Sequence, residues 1–262
     1  MVVVSNREFE WSEKKYFKSN DADETHLRGD RERAGMNAAV VTVGDELLAG
    51  RTANTNATWL CERLAERGVD IERVTTIPDR VSDIARVVNE YRAAYDAVIV
   101  TGGLGPTHDD VTMDGVAAAL GRSLTEHDAA RSWLEENGYS HAELADGTAE
   151  LPAGARALHN DVGVAPGAVL EDVYVLPGVP EEMKAMFETV ASEFNGEPTH
   201  RLVVVADEPE SALLDRIAEL RRQFDVSVGS YPGDGVRISI EGTDERTVAE
   251  AAAWLRERVE SA

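Results

Sequence analysis

A chain of 262 residues, 43% of them hydrophobic, is long enough to bury a sizeable core and to carry a second, smaller unit. Its net charge of −23 repels nucleic acid and anionic membrane, so neither is expected as a general partner. The charge does not forbid a phosphate site, because backbone amides at helix starts bind anions locally.

Arginine outnumbers lysine 22 to 4. An acid-rich, arginine-preferring surface resembles those of proteins from salt-loving organisms, where high salt would screen the self-repulsion; an acidic mesophilic protein is the alternative. No apolar run approaches the roughly eighteen residues a membrane span needs, and the opening MVVV is too short for a secretory signal, so a cytoplasmic location is expected. Cys61, the lone cysteine, has no intrachain partner, and no Cys/His cluster has zinc spacing.

Residues 1–37 hold three of the four lysines, lack a sustained period and read as disordered. Met36 is a second candidate initiator, with a regulatory tail as the rival reading. From 38 to 197 strands alternate with helices. AAVVTV (38–43) reads as a buried strand, and 55–67 as a helix whose apolar face includes Leu60, Cys61 and Leu64. A strand over 70–77, a helix from Val81 to Tyr91 and the buried strand AVIVT (97–101) follow. Helices are expected over 112–120 and 129–137, a strand over 173–176, and a helix over 181–194 with Pro180 at its first position. This alternation implies a mainly parallel sheet covered on both faces, a three-layer α/β fold. Residues 198–262 read as a smaller α+β unit: strand 201–205, helix 211–222, strands 226–230 and 236–241, and helix 245–258. Trp59, Trp133 and Trp254 on helices read as packing groups.

Ligands of open parallel sheets bind outside the carboxyl ends of the strands, and three polar loops fall there. In Thr101–Asp110, Gly102, Gly103 and Gly105 allow close backbone approach, while Thr107, Asp109 and Asp110 lead into a helix. That combination suits a phosphate or diphosphate, and Asp109 and Asp110 suit a hard cation such as Mg²⁺; a plain turn with one of these acids as helix cap is the bland alternative. A second loop offers Gly44, Asp45 and Glu46 and continues to Asn56, which reads equally well as a helix cap. In the third, Leu176–Met183, Gly178 is the better candidate, because Glu181 and Glu182 suit the helix dipole. His159 and Asn160 precede a Gly163–Gly167 loop placed to close over a ligand.

The stretches VGDELLAGRTANTN (43–56), VTGGLGPTHDDVT (100–112), LHNDVGVAPG (158–167) and LPGVPEEMKAMFE (176–188) resemble the signature of the CinA (competence/damage-inducible protein A) family, whose N-terminal part is a molybdopterin-binding, MoaB/MogA-like domain. The segment SYP (230–232) resembles that family's small following domain. Val164 stands where the family often has Thr, and DGTAE (146–150) differs from the usual stretch. The resemblance implies a small nucleotide or pterin as partner and, in some relatives, hydrolysis of ADP-ribose or a similar dinucleotide with Mg²⁺ or Co²⁺. Asp45, Asp109 and Asp110 would then be both the catalytic acids and the metal ligands. Molybdopterin binding or adenylyl transfer in cofactor assembly is the second reading, and a non-catalytic nucleotide sensor the third. No deamidase activity is expected, since the sequence ends before the nicotinamide-nucleotide deamidase domain of longer relatives. A homo-oligomer is compatible with the sequence, which does not fix its state. Sequencing the N-terminus of the native protein tests the initiator: a start at Met36 is expected, and a start at Met1 or Val2 contradicts it.

Overall fold

The computed structural model describes residues 35–139, 147–196, 199–233 and 235–260. The disorder expected for 1–37 therefore falls almost wholly outside the described residues, as does Pro198 at the expected boundary. Asn37 already belongs to the first strand, where its side-chain Oδ1 accepts from Asp96 N–H at 3.0 Å and its own N–H donates to the Asp96 carboxylate at 2.9 Å.

Valine-rich runs form the centre, where every residue of 37–43, 97–102 and 173–177 is buried. Strands β1 (Asn37–Val43), β2 (Asp70–Ile77), β3 (Ala97–Gly102) and β8 (Val173–Pro177) are parallel neighbours in the order β2-β1-β3-β8. The sheet continues antiparallel through β7 (Gly167–Leu170) and β6 (Arg156–Leu158). A separate ladder pairs β4 (Leu124–Glu126) with β5 (Glu150–Pro152). Strands β4 to β7 have three or four residues each, too short to show a period of two.

Alternation along the strands divides the core into two layers. Ala38, Val40, Ala97, Ile99, Tyr174 and Leu176 pack with α2 (Thr55–Glu66) and α6 (Pro180–Val190). Val41, Val43, Val98, Val100, Val173 and Val175 pack with α3 (Val81–Arg92), α4 (Thr112–Ala119) and α5 (Asp128–Glu136). Each fully buried Leu, Ile or Phe contributes about 1.5–3 kcal/mol, so these layers dominate the stability. Phe187 anchors the first: it is fully buried, stacks on Phe194 at 5.5 Å and meets the edge of Trp59 at 5.5 Å. Cys61 is packed against this layer, and burial pushes its thiol pKa up, an inert arrangement.

Helix α6 stops at Val190 rather than Phe194 because a 3-10 turn, Ala191–Glu193, tightens its end. The chain then brings Gly196 against the backbone of Gly68, with Gly196 N–H donating to Arg67 O at 2.9 Å; any Cβ at 196 would overlap that backbone. Between β1 and α2 lies α1 (Asp45–Leu48), a single turn that the sequence reads only as loop.

The C-terminal unit is a three-stranded antiparallel sheet in the order β10-β11-β9, made of β9 (His200–Ala206), β10 (Ser227–Gly233) and β11 (Gly235–Gly242). Its apolar face closes on α7 (Glu210–Gln223) and α8 (Glu245–Arg256), whose Val248, Ala252 and Leu255 form the expected stripe. No described helix is long and apolar enough to cross a membrane.

Helices α3 and α4 cross at Gly115, where an added Cβ would lie 2.5 Å from both Cβ and Cγ2 of Ile84. Alanine there gains roughly 1 kcal/mol of helix propensity, whereas overpacking a tight contact costs about 1–3 kcal/mol. Gly115→Ala should lower stability by about 1 kcal/mol in urea unfolding. Greater stability would show that the crossing has slack.

Candidate active site at the carboxyl rim of the sheet

The four parallel strands deliver their carboxyl ends to one rim, and short polar contacts fix them there. Asn54 caps α2 by accepting from Ala57 N–H at 3.1 Å, and its Nδ2 donates to Thr42 Oγ1 at 2.9 Å and Thr76 Oγ1 at 3.2 Å, tying β1 to β2. Asn56, which read equally well as a cap or a site residue, is not the cap: its Nδ2 donates to Thr101 Oγ1 at 3.2 Å and Gly178 O at 2.8 Å, joining the end of β3 to the loop after β8. Thr101 Oγ1 donates to Pro177 O at 2.7 Å. Gly178 passes so close to Gly102 that an added Cβ would sit 3.2 Å from the Gly102 carbonyl carbon. Asn56 Oδ1 is buried without a hydrogen-bond partner among the described residues, the kind of unpaired acceptor that marks strain or a ligand contact.

These loops surround a cleft of 750 Å³. Gly103, Leu104, Gly105, Pro106, Asp109 and Asp110 form one wall, Glu46 and Asp79 a second, and Pro177, Gly178, Val179 and Glu182 a third. Gly163, Val164 and Ala165, with Tyr139 and Thr148, complete it. A recess of 80 Å³ shares Val43, Glu46 and Gly178 with the cleft and reaches Asn56.

The glycine loop is built around a carboxylate. Asp110 Oδ2 accepts from Thr107 Oγ1 at 2.6 Å and from Thr107 N–H at 3.3 Å. An added Cβ at Gly103 would overlap Asp110 Oδ1, and one at Gly105 would lie 2.8 Å from Oδ2. The glycines are needed here for space. Neither Asp109 nor Asp110 caps α4, whose N-cap is Val111; Asp109 is 79% exposed, with His108 Nε2 at 3.1 Å.

Asp45, Asp109 and Asp110 are not gathered as one metal-binding group. Among the described residues no set of three or more His, Cys, Asp or Glu side chains is arranged to hold a metal. Asp45 is not among the residues lining the cleft; its backbone N–H donates to Asp79 Oδ2 at 2.7 Å instead. Gly44 lets the Glu46 carboxylate fold back over it, since a Cβ there would be 2.5 Å from Glu46 Oε1. The cleft's missed residue is Asp79, directly after β2 in Ile77-Pro78-Asp79. The rule that picked the loops after β1, β3 and β8 applies equally to β2, but a single acid after a proline lacks the glycines that drew attention elsewhere.

Burial raises the Asp79 pKa above its ordinary value, opposed by the Asp45 N–H and reinforced by Glu46, Asp45 and Asp110. A carboxyl raised in the folded state binds its proton more tightly than in the unfolded chain. The associated stability is present in acid and lost as pH rises through the folded pKa. Asp79→Asn keeps an acceptor for Asp45 N–H and removes the charge. At pH 7 it should be slightly more stable than wild type, by no more than about 1 kcal/mol given solvent screening of a partly exposed group. The gain should vanish below the ordinary Asp range, where the wild type is also protonated. Thermal melts across pH check this, and a less stable variant at pH 7 contradicts it.

Residues 39–197 match the family model described as "Probable molybdopterin binding domain", and residues 198–262 match "FAD synthase, middle domain". A curated protein of Aeropyrum pernix is 44% identical over 239 residues, covering 86% of this chain and 89% of its own length. One of Archaeoglobus fulgidus is 36% identical over 224 residues, covering 85% and 97%. Among solved structures, the protein CinA of Thermoplasma acidophilum, of unknown function, is 34% identical with a TM-score of 0.56, covering 61% of this chain and 99% of its own. The chain belongs to the molybdopterin-binding-domain family and, within it, to the CinA-type proteins.

Proposed function

We propose that this CinA-type protein binds a phosphorylated nucleotide or pterin in the rim cleft and hydrolyses the diphosphate bond of an ADP-ribose-like dinucleotide. The observation that carries the reading is the convergence of the Gly103–Gly105 backbone with the carboxylates of Glu46, Asp79 and Asp109 on one 750 Å³ cleft, large enough for such a ligand. The likeness of the C-terminal unit to the middle domain of FAD synthase supports a dinucleotide.

In this reading the amides of the glycine loop, freed of Cβ atoms, orient the phosphates, and Asp110 holds the loop in shape from within. Asp79, fixed by the Asp45 N–H, takes a proton from the attacking water. The water oxygen bonds to phosphorus as the bond to the bridging oxygen breaks, leaving AMP and ribose 5-phosphate. The side chains do not build a complete metal cage. Mg²⁺ nevertheless requires only one or two carboxylates beside substrate phosphates, and Glu46 and Asp109, which line the cleft, would supply them. Such a cation, if bound there, would supply neutralisation of the diphosphate charge and activation of water.

The family description favours a second reading, a pterin phosphate bound without turnover. Incubation with ADP-ribose, FAD and ATP, each with Mg²⁺ or Co²⁺ at high salt, separates the two. AMP release is expected, reduced about 100-fold or more by Asp79→Asn and also lost in Gly103→Ala. Tight pterin binding with no AMP release from any substrate would leave only the second reading.

A further inference from the structure

Glu182 has a fixed place in the cleft that the proposed hydrolysis does not use. It stands in the first turn of α6, where a carboxylate suits the dipole, yet it is held by more than its helix. Asn160, 1% exposed, donates from Nδ2 to Glu182 Oε2 at 2.8 Å and to Ala165 O at 3.0 Å, while its Oδ1 accepts from Gly163 N–H at 2.8 Å. Both polar side-chain atoms of Asn160 are thereby committed to holding Glu182 and the 160–165 loop together. Gly163 completes the seat: an added Cβ would fall 2.5 Å from Glu182 Oε2 and 2.6 Å from Oε1. Glu182 Oε1 has no hydrogen-bond partner among the described residues.

The cleft lining near that carboxylate is apolar. Beside it are exposed apolar side chains in the same cleft, Val164 (36% exposed) and Val179 (53%). Valine surfaces suit the faces of a planar ring, and a fixed carboxylate, an acceptor with no proton to give, suits an N–H edge.

We infer that Glu182 reads the exocyclic amino group of the ligand's heterocycle, selecting an amino-bearing ring such as adenine or a pterin over its oxo counterpart. The inference rests on the cleft being a nucleotide or pterin site. An amino group satisfies Oε1, whereas a carbonyl oxygen in its place sets acceptor against acceptor and leaves both unpaired. Asn160 is the positioning residue.

Isothermal titration of the full chain with four probes tests it: ADP against IDP, and pterin against lumazine, each pair differing by amino for oxo. Wild type should bind the amino member at least about tenfold more tightly; which pair binds better identifies the ring. Glu182→Gln retains an oxygen for Asn160 and turns an N–H toward the ring, so the preference should vanish or reverse. Gly103→Ala should weaken ADP and IDP alike without changing their ratio. Equal affinity for both members of each pair in wild type, or an unchanged ratio in Glu182→Gln, overturns the inference while leaving the cleft a nucleotide or pterin site. Failure of all four probes to bind overturns both.

Discussion

Four adjacent parallel strands end along a single edge of the central sheet, and every feature of the cleft follows from how those ends are held. Strand β1 has β2 on one side and β3 on the other, so the order reverses there and the loops diverge to leave a crevice. A crevice alone would be loose. Asn54 closes β1 to β2 and Asn56 closes β3 to β8 through side-chain amides, and Thr101 adds a direct bond to the Pro177 carbonyl. Each bond contributes only about 1 kcal/mol to stability, but together they fix the backbone positions on which any ligand contact depends.

Electrostatics within the cleft follow from the same geometry. The loops after β1, β2 and β3 each bring at least one carboxylate, and the result is crowding of like charge around Asp79. Asp110 contributes to that crowding and also accepts from Thr107, which makes it the frame of the glycine loop. An anionic ligand entering a chain of net charge −23 meets repulsion, which backbone amides of the glycine loop are placed to offset locally. The arrangement therefore suits a ligand whose phosphates lie at the glycine loop and whose uncharged ring lies at the apolar wall.

Much of this was legible in the residues. The buried apolar runs 38–43 and 97–101 and the helical steps of 55–67 fixed the layers, because strands covered on both faces must be apolar throughout. The glycines of 102–105 pointed to the rim loop. Other parts left no trace. Strands β4 to β7 are too short for a pattern, and the β7–β8 hairpin turns through Glu171 at φ 55, where a glycine or asparagine would have announced it. Asp79 was hidden by isolation, while Asn56 was in view as a site candidate but not as the tie between β3 and the loop after β8. Glu182 was hidden by a sound reason for its presence at a helix start; its contact with Asn160, twenty-two positions away, exists only in three dimensions.

The most direct test is amide NMR of the ¹⁵N-labelled protein during titration with ADP-ribose and Mg²⁺. The account predicts that the largest saturable shifts arise at Gly103, Gly105 and Gly163, with Tyr231 and Arg237 of the C-terminal sheet unmoved. Shifts centred on Tyr231 and Arg237, with the glycine loop silent, would contradict the claim that the rim cleft is where this protein holds its ligand.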